Sequence, residues 1–198
     1  FMGAEKKIFD YTFIKALKEE NMPMVDLLIK NGANPNASLE DTGETALMMV
    51  ARKGMLEICK DLIDNEADVH KRNNKRDTAL IIAAKAGNKQ IVNFLLQHSA
   101  DPDLQGEKGY TALMHAASLA DVEVVKALIA KGANVNLINE DYIGAARVLL
   151  KYAQNQLTAT GSKADHAQIL YLLQKAGSDM PLEKFPKEYQ ELVKKIKE

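Results

Sequence analysis

A 33-residue period constrains this chain more than any other feature. Thr45-Ala46-Leu47, Thr78-Ala79-Leu80 and Thr111-Ala112-Leu113 stand 33 residues apart. The tails behind them recur as Ala67-Asp68-Val69, Ala100-Asp101-Pro102 and Ala133-Asn134-Val135. Repetition at this spacing marks a stacked array, in which each unit is too small to bury its own apolar face and packs only on its neighbours. The stretch from Arg76 to Lys108 finds a match on both sides and serves as the template. Length therefore does not count domains here, and the 198 residues read as one array.

Each unit carries signals for two helices. Thr45, Thr78 and Thr111 are predicted N-caps, because a threonine hydroxyl can accept an orphan backbone N–H. Ala46 to Arg52 reads as a short helix ended by Gly54, and Met55 to Asp64 as a second with Leu56, Cys59, Leu62 and Ile63 inward. In the third unit Gly87 breaks, and Ile91, Val92, Phe94, Leu95 and Leu96 pack. In the fourth, Val122, Val124, Val125, Leu128 and Ile129 do so. Upstream, residues 1–7 read as a disordered lead. Ile8, Tyr11, Ile14 and Leu17 form one face of a first helix. Met24 to Lys30 forms the next, with Val25, Leu28 and Ile29 buried and Asn31-Gly32 as its close.

The fifth unit departs from the plan. Gly144 lies 33 beyond Thr111 and opens it, and the closing Gly177 lies a further 33 on, whereas Gly132 follows Thr111 by 21. The difference places 12 extra residues near Gln154 to Asp165. Ala153 fills the slot of the helix-breaking glycine, so the first helix is expected to continue to about Leu157. A loop from Thr158 to Gly161 follows, then a helix capped by Ser162 or Asp165 with Ile169, Leu170, Leu172 and Leu173 as its apolar face. Pro181 and Pro186 flank a short link. Residues 186–198 form an amphipathic last helix with Tyr189, Leu192, Val193 and Ile196 on one face, expected to cap the stack.

These residues resemble the ankyrin-repeat family. Its T-P-L-H-x-A-A pattern is matched by TALMMVA, TALIIAA and TALMHAA, and its G-A-D-V-N element by GANPN, EADVH, SADPD and GANVN. The resemblance covers roughly residues 5–179. It implies an all-α ankyrin-repeat solenoid of about five helix–turn–helix units with finger loops, at about 5–39, 40–72, 73–105, 106–138 and 139–180. A C-terminal capping helix would occupy 181–198. Three departures stand out. Ala46, Ala79 and Ala112 replace the proline at the first helical position, which gives up pre-organisation but keeps helix propensity. Met48, Ile81 and Met114 replace the usual histidine, so the polar link from helix to finger is expected to be missing. Glu66 and Ser99 replace the closing glycine, where a side chain brings strain.

Composition and motifs exclude most chemistry. A net charge of −1 gives no sequence-independent grip on nucleic acid. No apolar run approaches the ~20 residues of a membrane span. No export signal is legible at Phe1-Met2-Gly3-Ala4, and a cytoplasmic monomer is expected. The lone Cys59 reads as a reduced core thiol. No phosphate loop or zinc pair is present, so no catalytic, cofactor-binding or metal-binding residue is assigned. His70 and His98 fall in finger segments, His115 in a first helix and His166 at the start of the fifth unit's second helix. All four have structural explanations.

Function therefore falls to the surface. In the ankyrin family the finger tips and the exposed side of the first helices form a concave groove for another protein. By that resemblance the groove residues here are Tyr110, Leu119, Ile143, Tyr152 and Lys108, with Lys85, Arg52 and Lys53 as charges. Aromatic anchors inside a polar rim are what binding hot spots look like. Competing readings remain open. Ile143 and Tyr152 are core if the insertion or the last helix covers them, and the cations are a solvated face. A small-molecule-binding or enzymatic protein would use a pocket near the fifth-unit insertion, with His115 or His166 as its first candidates. An inhibitor of one particular enzyme is a narrower form of the binding reading.

Overall fold

In the first body the early helices are longer than their sequence signals. The computed structural model describes residues 2–154 and 161–197, and the chain divides into two bodies, 1–100 and 101–198. The segment expected to be a disordered lead is helical: α1 runs Met2–Lys18 and α2 Met22–Lys30. Ala, Glu and Lys dominate residues 4–7, all good helix formers, and no proline interrupts before Pro23. The buried face of α1 is Phe13, Ile14, Ala16 and Leu17, while Ile8 and Tyr11 stay in solvent. Among the described residues nothing covers the upstream half of the expected stripe.

The next units follow the repeat closely. Helices α3 (Ala46–Lys53) and α4 (Leu56–Asp64) are followed by α5 (Ala79–Ala86) and α6 (Lys89–Gln97). Thr45 Oγ1 accepts from Met48 N at 3.2 Å and Thr78 Oγ1 from Ile81 N at 3.3 Å. Gly54 and Gly87 end the first helices in the left-handed region, at φ 77° and 74°. α3 packs on α5, and residues 46–51 and 79–84 are buried throughout. That complete burial explains their run of alanine and aliphatic residues. The second helices bury one stripe each, Ile58, Cys59 and Leu62 in α4 and Ile91, Val92, Leu95 and Leu96 in α6. Leu56, Ile63 and Phe94, expected inward, are only half-buried.

Polar side chains tie successive units. Asn88 Nδ2 donates to the α3 carbonyls of Ala51 and Arg52 at 2.7 and 3.0 Å, satisfying helix-end acceptors. Asn36 Nδ2 donates to Glu66 O at 3.2 Å, and Asn36 Oδ1 accepts from Asp68 N at 2.9 Å. One unit on, His70 Nε2 lies 3.0 Å from Ser99 O. The fingers join through backbone, Asn74 N donating to Thr42 O at 2.9 Å. Glu66 and Ser99 do adopt the left-handed conformation, at φ 67° and 62°. The expected loss of the polar link at Met48 is only partial, because its Sδ lies 3.4 Å from Thr45 N and acts as a weak acceptor.

The second body contains α7 (Ala112–Ser118), α8 (Val122–Ala130), α9 (Ala145–Gln154), α10 (Lys163–Lys175) and α11 (Lys187–Lys197), with short 3₁₀ turns at Glu107–Gly109 and Leu182–Lys184. Thr111 caps α7 through Met114 N at 3.2 Å. Ser162 and Asp165, offered as alternatives by the sequence, act together in one capping box on α10. The expected continuation of α9 to Leu157 and the loop from Thr158 lie outside the described residues. Asn134 N donates to Asp103 Oδ1 at 2.7 Å, and Asn136 binds the tail of α10 through Gly177 O and Asp179 N, both at 2.8 Å. Gly109 (φ 74°) has no room for a side chain, since a Cβ there would lie 3.1 Å from Asn139 Cα. α11 packs on α10 through buried Tyr189 and Val193, with Leu192 half-buried and Ile196 exposed. His166 Nδ1 lies 3.2 Å from Tyr189 Oη. No helix among the described residues is long and apolar enough to cross a membrane.

Candidate protein-binding face

Tyr110 is held in place from below. It sits between the capping residue Thr111 and the tight turn at Gly109, and its ring stacks on His115 of α7 with centroids 5.1 Å apart at 31°. Asn139, buried in the next finger, fixes that loop: its Oδ1 accepts from Asp141 N at 3.0 Å and Ile143 N at 3.1 Å. Asn73 does the same two periods earlier with Lys75 N and Asp77 N, at 3.0 and 2.9 Å. The Asn139 Nδ2 has no partner at hydrogen-bonding distance. Burial raises the Tyr110 phenol above its ordinary value, and the nearby Tyr152 and Asp141 push the same way. The Asn139 side-chain amide opposes them. Tyr110 of the fourth unit and Tyr152 of the fifth are therefore within electrostatic reach of each other.

The sequence-predicted residues fall into two groups. Tyr110, Leu119 and Ile143 are half-buried, and Tyr152 is 36 % exposed. None of the four is fully buried, and the insertion that the sequence offered as a cover for Ile143 and Tyr152 lies largely outside the described residues. Lys108 is exposed in the same body, in the left-handed conformation at φ 55°. In the first body Lys85, Arg52 and Lys53 are all exposed. Two of these cations are already paired: Arg52 binds Glu44 through Nε and Nη2 at 3.1 and 2.7 Å, and Lys53 binds Glu20. The sequence did not show this, because Lys53 and Glu20 lie 33 residues apart.

His166 is buried against Tyr189, and His98 Nδ1 lies 2.9 Å from Phe94 O. Among the described residues no cluster of three histidine, cysteine or acidic side chains is placed to hold a metal. Cys59 is buried, and burial pushes its thiol up to about 12. A cleft on the fifth unit lies at its finger, beside Ile138 and Tyr142.

Helix pairs repeating every 33 residues, linked by capped turns and polar ties, define a helical-repeat protein. Residues 47–139 match a family model described as ankyrin repeats in three copies, and residues 13–63 match one described as ankyrin repeats in many copies. Together they span more than half of the chain, which belongs to the ankyrin-repeat family and has its all-α solenoid fold. Ankyrin repeats are generally protein–protein interaction modules.

Proposed function

We propose that this chain is a non-catalytic interaction module that holds a partner protein on the Tyr110–Tyr152 face of its second body. The observation that carries the reading is the pair of incompletely buried tyrosines within electrostatic reach of each other, with Leu119 and Ile143 also left partly open. Aromatic and aliphatic side chains half-open to water on a fixed scaffold lose little freedom on binding, so their burial contributes nearly in full. Lys108 supplies a charged rim. Arg52 and Lys53 contribute less, since each would have to leave an existing carboxylate. α11 closes the C-terminal side, leaving the finger and first-helix side for the partner.

The test compares wild type with Tyr110→Ala/Leu119→Ala and, separately, Tyr152→Ala, in quantitative affinity capture from the source cell. Expected is loss of the same captured protein from both variants, with helical circular dichroism retained. Equal capture by all three folded proteins overturns the assignment.

A further inference from the structure

We propose that the open edge of the fifth finger binds an acidic peptide segment carrying an apolar side chain. Tyr142 occupies the left-handed slot of its finger turn, at φ 60°. The same slot holds Gly43 and Gly109 in the second and fourth units, at φ 68° and 74°, and Arg76 in the third at φ 67°. An aromatic residue there strains the backbone. Burial offers no compensation, because Tyr142 is 79 % exposed. Ile138 is 48 % exposed at a position where the second unit carries a half-buried Leu39 and the third and fourth carry Arg72 and Gln105. The repeat demands neither apolar residue.

Both side chains line a cleft of about 240 Å³ with Met180 and Pro181. Arg147 and Lys184 line it too. Arg147 stands one period beyond Met48, Ile81 and Met114, all buried, but is itself exposed. An adjoining cleft shares Met180 and Pro181 and adds Lys175 and Lys197. None of these four cations is ion-paired among the described residues. Asp179 is the one carboxylate lining either cleft.

The backbone supplies a third element. Within each body one finger donates an N–H to the finger before it, Asn74 to Thr42 O and Glu140 to Lys108 O, both at 2.9 Å. The equivalent carbonyl of the last finger, Asp141 O, has no such donor among the described residues. An extended peptide meets all three: an N–H for Asp141 O, an apolar side chain for Ile138 and Tyr142, and carboxylates for Arg147 and Lys184. This site is separate from the Tyr110–Tyr152 face and stands whether or not that face has a partner.

Fluorescence anisotropy with labelled Glu-Glu-Leu-Phe-Glu-Glu, and with a Lys-Lys-Leu-Phe-Lys-Lys control, tests it. The acidic probe should bind wild type and weaken with salt, and the basic control should not bind. Tyr142→Gly should lower affinity about tenfold or more while melting no lower than wild type, because glycine fits this slot. Arg147→Glu/Lys184→Glu should abolish binding. Equal binding of both peptides, no binding of the acidic one, or full affinity in Tyr142→Gly overturns the proposal. So does Tyr142-dependent dimerisation in sedimentation, or Tyr142-dependent binding to phosphatidylserine vesicles, without binding of the acidic peptide.

Discussion

Asn136 grips the backbone of Asp179 across 43 residues, its Oδ1 accepting the Asp179 N–H at 2.8 Å while its Nδ2 donates to Gly177 O at 2.8 Å. Asn36 makes the same two bonds with Asp68 N and Glu66 O. Each carboxamide satisfies one donor and one acceptor of the following tail, which no other residue type does with such economy of reach. Asn136→Ala or Asn36→Ala should each destabilise the fold by about 1 kcal/mol, the net worth of part-solvated hydrogen bonds. Urea melts should show a lower midpoint with little change in slope, and an unchanged midpoint would mean that the tie is not energetic.

Glu66 and Ser99 are held at φ 67° and 62° where the first, fourth and fifth units have Gly32, Gly132 and Gly177. The left-handed region costs a residue with a side chain about 1–2 kcal/mol, and part of that is offset by the greater freedom of glycine in the unfolded chain. Glu66→Gly and Ser99→Gly should each stabilise by about 0.5–1 kcal/mol. Calorimetry should show both melting higher, and additively, because the sites are 33 residues apart with separate partners.

Cys59 is buried and its thiol is raised from 9.0 to about 12 by loss of solvation. The neutral form is therefore favoured in the folded state. Stability should hold below about pH 9 and fall as pH rises from there toward 12. Tyr110 and Tyr189, both raised chiefly by burial, act with the same sign at alkaline pH. Cys59→Ala should be less stable at pH 7 but show a shallower alkaline decline. A thiol reagent should modify wild type only as it unfolds, and rapid labelling of the native chain would contradict the burial.

The Tyr189 hydroxyl and His166 Nδ1, 3.2 Å apart, form a buried polar contact between α11 and α10, which the Lys163–Glu188 ion pair also joins at the surface. Tyr189→Phe keeps the ring and removes that contact, at a cost of about 1 kcal/mol or more because His166 is buried. Hydrogen exchange should report the loss first in α11, with α7 unaffected. Uniform acceleration throughout the second body would show that α11 does not open on its own.

The sequence by itself determined the repeat, its caps and most of its core, because those depend on contacts one turn or one period away. Thr45, Thr78 and Thr111 cap through bonds spanning three residues, and a 33-residue period repeats the same environment for each. What only the tertiary structure decided is what happens when one residue type meets two environments. Ala120 and Ala153 fill the same slot, one period apart. Ala120 turns left-handed at φ 53°, because Asp121 must cap α8 at once, whereas Ala153 stays helical with the next cap as far away as Ser162. Likewise, Arg52 and Lys53 read as free cations until folding brought Glu44 and Glu20 to them. Tyr142 and Ile138 gave no signal in the sequence, and their exposure, 79 % and 48 %, is visible only in the folded chain. A stack defines its interior by repetition, but its ends and its ion pairs are set by distances that no local pattern encodes.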